Sequence, residues 1–287
     1  MEVTALGVGT PTPAVSSWGS SFLVSVGNDR VLFDCGPSAT SKMVRAGTLP
    51  TEVSHLFLTH LHFDHVVDVP ALLLSRWDQG AGQIPPLKVY GPGPTARFID
   101  DIIGPNGLFR DDIRARIEHP TSHAVFQNRG GTLPRPGPRV KSTELSAGDS
   151  VSEAEWRVTA GHAQHVQPYL NCLAYRIETD RSSIVFTGDT EPCEEVVDLA
   201  KGAQILLSMC WDFQSRMEEK NEARGQTGTL GAAEMAREAG VGHLVLVHHG
   251  PQLDEAGARE AALADAKSIF EGMVTFAEEG LVFTSND

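Results

Sequence analysis

The 287-residue chain is 41% hydrophobic and carries a formal net charge of −14, from 23 basic against 37 acidic side chains. It is long and apolar enough for one large core, and its acidic balance argues against a nucleic-acid footprint, leaving open only a local basic groove. Cys35, Cys172, Cys193 and Cys210 are widely spaced with no C-x-x-C pair, which speaks against a disulfide framework or a cysteine metal site and fits a reducing, cytoplasmic setting. No run approaches the roughly eighteen apolar residues of a membrane helix, and residues 1–8 read as a strand rather than a leader. No composition break marks a boundary, so residues 1–287 are expected to form a single domain.

Val3 to Val8, Ser21 to Val26 and Val31 to Asp34 read as short strands separated by Gly, Pro and Asn turn signals. An apolar strand-like run (Val53, Leu56, Phe57, Leu58) then enters Thr59-His60-Leu61-His62-Phe63-Asp64-His65, and a helix-like run (Val66, Val67, Val69, Ala71, Leu72, Leu73) follows. Few structural needs explain three imidazoles and a carboxylate in six positions of one strand-to-helix turn. From such a turn His60 and His62 can reach one point while Asp64 and His65 reach a second. Neutral imidazole and carboxylate suit zinc or another borderline divalent ion.

Leu87 to Tyr90 reads as a strand, Gly91-Pro92-Gly93-Pro94 as a turn and Thr95 to Ile103 as a helix, an alternation that implies layered α/β architecture. Residues 104–139 interrupt it. Asp111 to Glu118 suits a short helix, whereas Thr121 to Arg139 is rich in Gly, Pro and Arg without apolar periodicity. That segment is expected to be a lid insertion presenting His123, Arg129 or Arg135 to a substrate, or else disordered. The strand Trp156 to Ala160 leads to Gly161-His162-Ala163-Gln164-His165, where two histidines compete for one role. The strand Ser183 to Phe186 runs into Thr187-Gly188-Asp189-Thr190; a Gly-Asp strand end taken alone is most often a helix cap. Ala232 to Ala239 reads as a helix and Leu244 to Val247 as a strand before His248-His249-Gly250. Adjacent residues of an extended chain face opposite ways, so only one of these two histidines can face a given site.

His60-Leu61-His62-Phe63-Asp64-His65 resembles the H-x-H-x-D-H signature of the metallo-β-lactamase superfamily, and the other motifs resemble its ribonuclease Z branch. The resemblance implies a four-layer αββα sandwich, two sheets face to face with helices outside, holding two divalent metal ions at one edge. Zinc is the expected metal, with manganese or iron as alternatives. His60, His62 and His165 would hold one ion, and Asp64, His65 and His248 the other. Asp189 would bridge them, because a carboxylate has two oxygens and can span two cations. Asp64 and Asp189 would be the catalytic carboxylates. The spacing from Val158-Thr159-Ala160 in relatives, with Ala174-Tyr175-Arg176 downstream, favours His165 as ligand and leaves His162 behind the ligands. Asp34, in Phe33-Asp34-Cys35-Gly36-Pro37, resembles a carboxylate that fixes imidazole tautomers from behind. His249 is the alternative to His248, and relatives of this branch are often dimers, so a homodimer is expected.

Two departures shape the functional expectation. Ribonuclease Z enzymes insert a tRNA-gripping arm between the Tyr-Arg and Gly-Asp motifs, and here only Ile177 to Phe186 separates Arg176 from Thr187. Relatives also place a proton-donating Glu-His pair where this chain has Met209 and Gln226, neither of which delivers a proton at neutral pH; Asp212 or a lid histidine would have to substitute. These features, with the acidic charge, lead to a hydrolase of a small-molecule substrate with a good leaving group. An activated ester, lactone or phosphodiester fits, as does halide leaving an activated aromatic ring, and nucleic acid is not expected as a partner. The alternatives are a tRNA 3′ processing endonuclease, an iron oxidoreductase and a catalytically silent binding module.

Overall fold

The computed structural model describes residues 1–285. Fourteen strands form among them: β1 (Glu2–Gly7), β2 (Ser21–Val26), β3 (Asp29–Phe33), β4 (His55–Phe57), β5 (Leu87–Gly91), β6 (Val140–Glu144), β7 (Ser150–Ser152), β8 (Arg157–His162), β9 (Leu173–Glu178), β10 (Ser183–Phe186), β11 (Ile205–Met209), β12 (His243–Val247), β13 (Met273–Phe276) and β14 (Val282–Thr284). The helices are α1 (Ala39–Arg45), α2 (Phe63–Val66), α3 (Val69–Gly80), α4 (Thr95–Ile103), α5 (Arg110–Glu118), α6 (Pro120–Asn128), α7 (Glu194–Ala200), α8 (Gln214–Glu219), α9 (Thr229–Ala239) and α10 (Ala258–Lys267). None of them is long and apolar enough to cross a membrane.

The strands make two seven-stranded mixed sheets, ordered β14-β1-β2-β3-β4-β5-β6 and β13-β12-β11-β10-β9-β8-β7. Side-chain alternation decides how they stack. In β3, Val31 and Phe33 join the core between the sheets while Leu32 faces the helices; in β11, Ile205 and Leu207 point inward and Leu206 outward. Strands buried on both faces need continuous apolar sequence, which explains their runs of Val, Ile and Leu. Between the sheets Phe33 stacks on Phe186, ring centroids 4.2 Å apart, and on Phe57 at 5.3 Å. Outside, Met43, Leu72 and Ile99 cover the first sheet, and Val196, Ala236 and Ala262 the second. The result is the four-layer αββα sandwich.

The parallel pairs β3–β4–β5–β6 and β10–β11–β12 end at one edge of the sandwich. Loops leaving carboxyl ends of parallel strands are where α/β sheets place their ligands. Asp34 follows β3, His60 follows β4, Asp189 follows β10 and His248 follows β12. The loop after β8 carries His165 to the same place.

Of the segment expected to be a lid or disordered, residues up to Asn128 are helical in α6, and residues 129–139 run as turns and irregular chain tied to α3 by side-chain contacts. Pro120 opens α6, and the His119 ring accepts a hydrogen bond from the Thr121 N–H, 3.3 Å. These are helix-start signals, and they act here without apolar periodicity because only Phe126 of the helix is buried. His123 donates its ring to the Ile117 carbonyl. Arg129 and Arg135 both pair with Asp78, as does Arg116, and the Arg135 guanidinium lies 4.3 Å over the Trp77 ring. All three side chains expected to serve a substrate have partners within the protein in this structure. Removing Asp78 leaves the buried Arg135 charge unpaired, a loss worth about 3 kcal/mol, the low end for a buried pair because Asp78 is partly exposed. Asp78→Ala is therefore expected to lower the denaturant midpoint clearly while leaving metal content unchanged.

Candidate metal centre

The residues singled out in the sequence converge at the strand-end edge. His60, His65 and Asp64 are buried, and His62 is half-buried at the mouth. His60, His62, His165 and Asp189 bring one donor atom each within 4.8 Å of one another, and Asp64, His65 and His248 form a second such group. Asp189 lies between them. Its Oδ2 is 3.7 Å from His165 Nε2 and 4.0 Å from His60 Nε2, while its Oδ1 is 3.4 Å from His65 Nε2 and 3.3 Å from His248 Nε2. In the first group His62 Nδ1 lies 2.9 Å from His60 Nε2 and 3.3 Å from His165 Nε2. In the second, His248 Nε2 lies 3.2 Å from Asp64 Oδ2 and 3.3 Å from His65 Nε2.

The local chain explains this convergence. Asp34 leaves β3 at positive φ, and its carboxylate accepts the Thr59 N–H (2.8 Å), the Thr59 hydroxyl (2.9 Å) and the His65 Nδ1–H (2.7 Å). It thereby anchors the metal turn and leaves His65 Nε2 with its lone pair inward. Cys35 N–H donates to the His65 carbonyl at 2.7 Å, tying the same turn to the end of β3. A Cβ on Gly36 would sit 2.2 Å from the Asp64 carbonyl oxygen, so only glycine lets the chain approach so closely. Gly188 holds positive φ and lies against Thr59, turning Asp189 into the gap between the sheets. His165 donates Nδ1–H to the Gly225 carbonyl, 2.6 Å, which again directs Nε2 inward.

Electrostatics run the same way. Burial, with the His65 charge next, holds His60 well below the ordinary histidine value. Burial also opposes charge on His65, yet the Asp189 and Asp34 carboxylates hold it well above that value. Asp189 itself is held well below the carboxylate range, against the cost of its burial, by His248, His65 and His60. The fit to a metal can be judged from the donors alone. Asp64 Oδ1 and Asp189 Oδ1 are buried with no hydrogen-bond partner, and imidazole nitrogens face each other at 2.9–3.3 Å. Converging imidazole nitrogens with buried carboxylate oxygens left over form a donor set that suits two divalent ions, typically zinc.

The competing histidines fall elsewhere. His162 ends β8 and lines a separate cavity with Gly93, Glu144 and Asn171. His249 turns away, its Nε2 on the Ala277 carbonyl at 3.0 Å and its ring against Phe276, and burial pushes it down to about 4. His165→Ala is accordingly expected to lose metal and activity together, whereas His162→Ala keeps most of both; elemental analysis of the two variants checks this. Met209 is buried, and its sulfur accepts the Thr190 N–H beside Asp189. Gln226 follows the Gly225 that holds His165. Asp212, the substitute the sequence offers, is fully buried, with Oδ1 accepting the Phe213 N–H and pairing with Arg216 and Oδ2 without a hydrogen-bond partner. Sequence reasoning gave no role to Thr59, which joins Asp34 to the His60 ring, or to Glu191, which accepts the Gly225 N–H at 2.6 Å. Thr59 lies inside the histidine motif, and that position was its only signal.

A family model described as a β-lactamase superfamily domain matches residues 29–249. Ribonuclease Z of Mycolicibacterium gilvum is 32% identical over 272 residues, covering 88% of this chain and 85% of the relative; ribonuclease Z of Mycobacterium bovis is 30% identical over 280 residues, covering 96% and 94%. Among solved structures, the metallo-β-lactamase fold protein YhfI of Bacillus subtilis superposes with a TM-score of 0.73 at 21% identity, covering 98% of each chain. The short form of human tRNase Z gives 0.68 at 19% identity, covering 99% of each.

These relatives overturn one expectation. Net charge and the missing arm argued for a small-molecule substrate and against nucleic acid, yet the sequence relatives of this chain are named as ribonucleases. The physical reason is that net charge averages the whole surface, whereas a phosphate backbone is gripped by one local face. The arm is indeed missing, since β9 and β10 close in a tight turn with Thr179 N–H on the Ser182 carbonyl. The short turn leaves the two donor groups around Asp189 unchanged.

Proposed function

The chain belongs to the β-lactamase superfamily, in the branch that holds ribonuclease Z, and from that membership we propose that this metal-dependent hydrolase cleaves RNA phosphodiester bonds, with tRNA precursors as substrate. In this reading His60, His62 and His165 hold one ion, Asp64, His65 and His248 the second, and Asp189 both. The observation that carries it is the position of Asp189, whose two oxygens face two separate donor groups. Two divalent ions held by these residues would supply an acidified water near neutral pH and positive charge toward a phosphate.

The protein's own residues supply orientation. Asp34 holds the His65 tautomer and fixes the turn through Thr59, and Gly225 holds His165. The buried carboxylates of Asp64 and Asp189 are held below the ordinary carboxylate range by the imidazoles beside them, which favours the anionic form that would ligate a cation. Half-buried His62 marks the open side from which a scissile phosphate enters. The test is cleavage of a precursor tRNA by zinc- and manganese-loaded protein, with an aryl phosphodiester as control. Trimming at the 3′ side of the acceptor stem is expected. Turnover of the control with an untouched precursor would overturn the RNA assignment.

A further inference from the structure

At the edge of the first sheet opposite the metal centre, Arg76 of α3 is only 6% exposed, and its Nε donates to the Val53 carbonyl at 2.9 Å. No carboxylate forms an ion pair with it among the described residues, and burial alone lowers its guanidinium to about 10. A buried charge without a counter-charge is costly, and proteins ordinarily pair it. Arg76 lines a cavity of about 30 Å³ together with Leu73, Trp77, Ile84, Pro136 and Arg139. Arg139 spends its visible hydrogen bonds on the carbonyls of Gly82 (3.3 Å) and Ile84 (3.0 Å) and likewise has no carboxylate. Arg139, on the same wall, is exposed to solvent, so the cavity is bordered by a guanidinium that an ion can reach.

The surroundings reinforce the imbalance. Arg116, Arg129 and Arg135 share Asp78, and Arg116 also pairs with Asp112. With Arg76 and Arg139, this corner sets five guanidiniums against those two carboxylates, on a chain whose net charge is −14. Its walls include Leu87 and Val140, the first residues of β5 and β6, whereas the metal-binding loops follow the far ends of the strands.

We infer that this cavity is an anion site that takes one phosphate group between Arg76 and Arg139, supplied either by an RNA backbone or as free inorganic phosphate. Planar guanidinium donors match phosphate oxygens in paired hydrogen bonds, and the volume admits a small oxyanion but no nucleobase. The site itself does not depend on the proposed function; only the RNA source does.

The experiment titrates inorganic phosphate into the metal-loaded protein by calorimetry, beside Arg139→Ala and Arg76→Gln. Aryl phosphodiester turnover monitors the metal centre. The wild-type protein is expected to bind phosphate at one site beyond the metal centre, and each variant to weaken that site at least tenfold with turnover unchanged. Arg139 is exposed, so its variant remains informative even if Arg76→Gln folds poorly. On an RNA substrate, a raised KM and a salt dependence shallower by about one counterion would identify the backbone as the source. Loss of phosphate binding with unaltered KM would identify the free ion. Phosphate binding that is equal in all three proteins, or confined to the metal centre, would overturn the site even if RNA is cleaved.

Discussion

Asp189→Ala is expected to strip the protein of most of both metals and to lower activity by about a thousandfold or more. The size follows from the position of the carboxylate, which no other residue shares. Oδ2 faces the His60 and His165 nitrogens while Oδ1 faces those of His65 and His248. Truncation removes a donor from each group at once and leaves four facing imidazoles without the carboxylate, which is the first of the charges that hold His65 well above its ordinary value. Metal assistance is worth several kcal/mol of transition-state stabilisation, and each 1.4 kcal/mol is a factor of ten in rate. Elemental analysis with turnover of an aryl phosphodiester checks both parts. Full metal content with unchanged turnover would remove Asp189 from the centre.

The second large effect concerns the leaving group. Met209 stands one hydrogen bond from Thr190, and so beside Asp189, with a thioether that cannot donate a proton. Gln226 follows the residue that orients His165, and its amide cannot donate at neutral pH either. General acid help is typically worth about a hundredfold to ten-thousandfold. Rates on aryl phosphodiesters are therefore expected to fall steeply as leaving-group pKa rises, with a ribose alkoxide among the slowest. The double variant Met209→Glu with Gln226→His should speed RNA cleavage by up to about that factor while barely changing nitrophenyl substrates. A flat response to leaving-group pKa, with bond breaking rate-limiting, would mean that another group donates the proton.

The metal turn was legible in the sequence because its four ligand-type residues are contiguous, and because apolar runs on either side mark the strand and helix that aim them. Layered α/β architecture was legible from apolar strands such as Leu244–Val247 alternating with helices, whereas the two stacked sheets were implied only by the family resemblance. The rest depends on partners distant in sequence. Arg129 and Arg135 look free until Asp78, about fifty residues earlier, is seen to bind both. The hydroxyl of Thr59 and the carbonyl of Gly225 orient ligands without any distinctive side-chain chemistry. Charge misled for a related reason: a total of −14 hides a corner where five arginines crowd two aspartates. α6 was missed because a helix burying a single side chain shows no periodicity.

Metal stoichiometry in single-site variants tests the two-ion centre most directly. His248 belongs to the second donor group alone, and its Nε2 contacts Asp64, His65 and Asp189. Protein purified without chelator is expected to carry close to two ions per chain, and His248→Ala close to one, with the remaining ion still lost on His165→Ala. A wild-type value near one, or a His248→Ala protein that keeps both ions and full activity, would contradict the assignment.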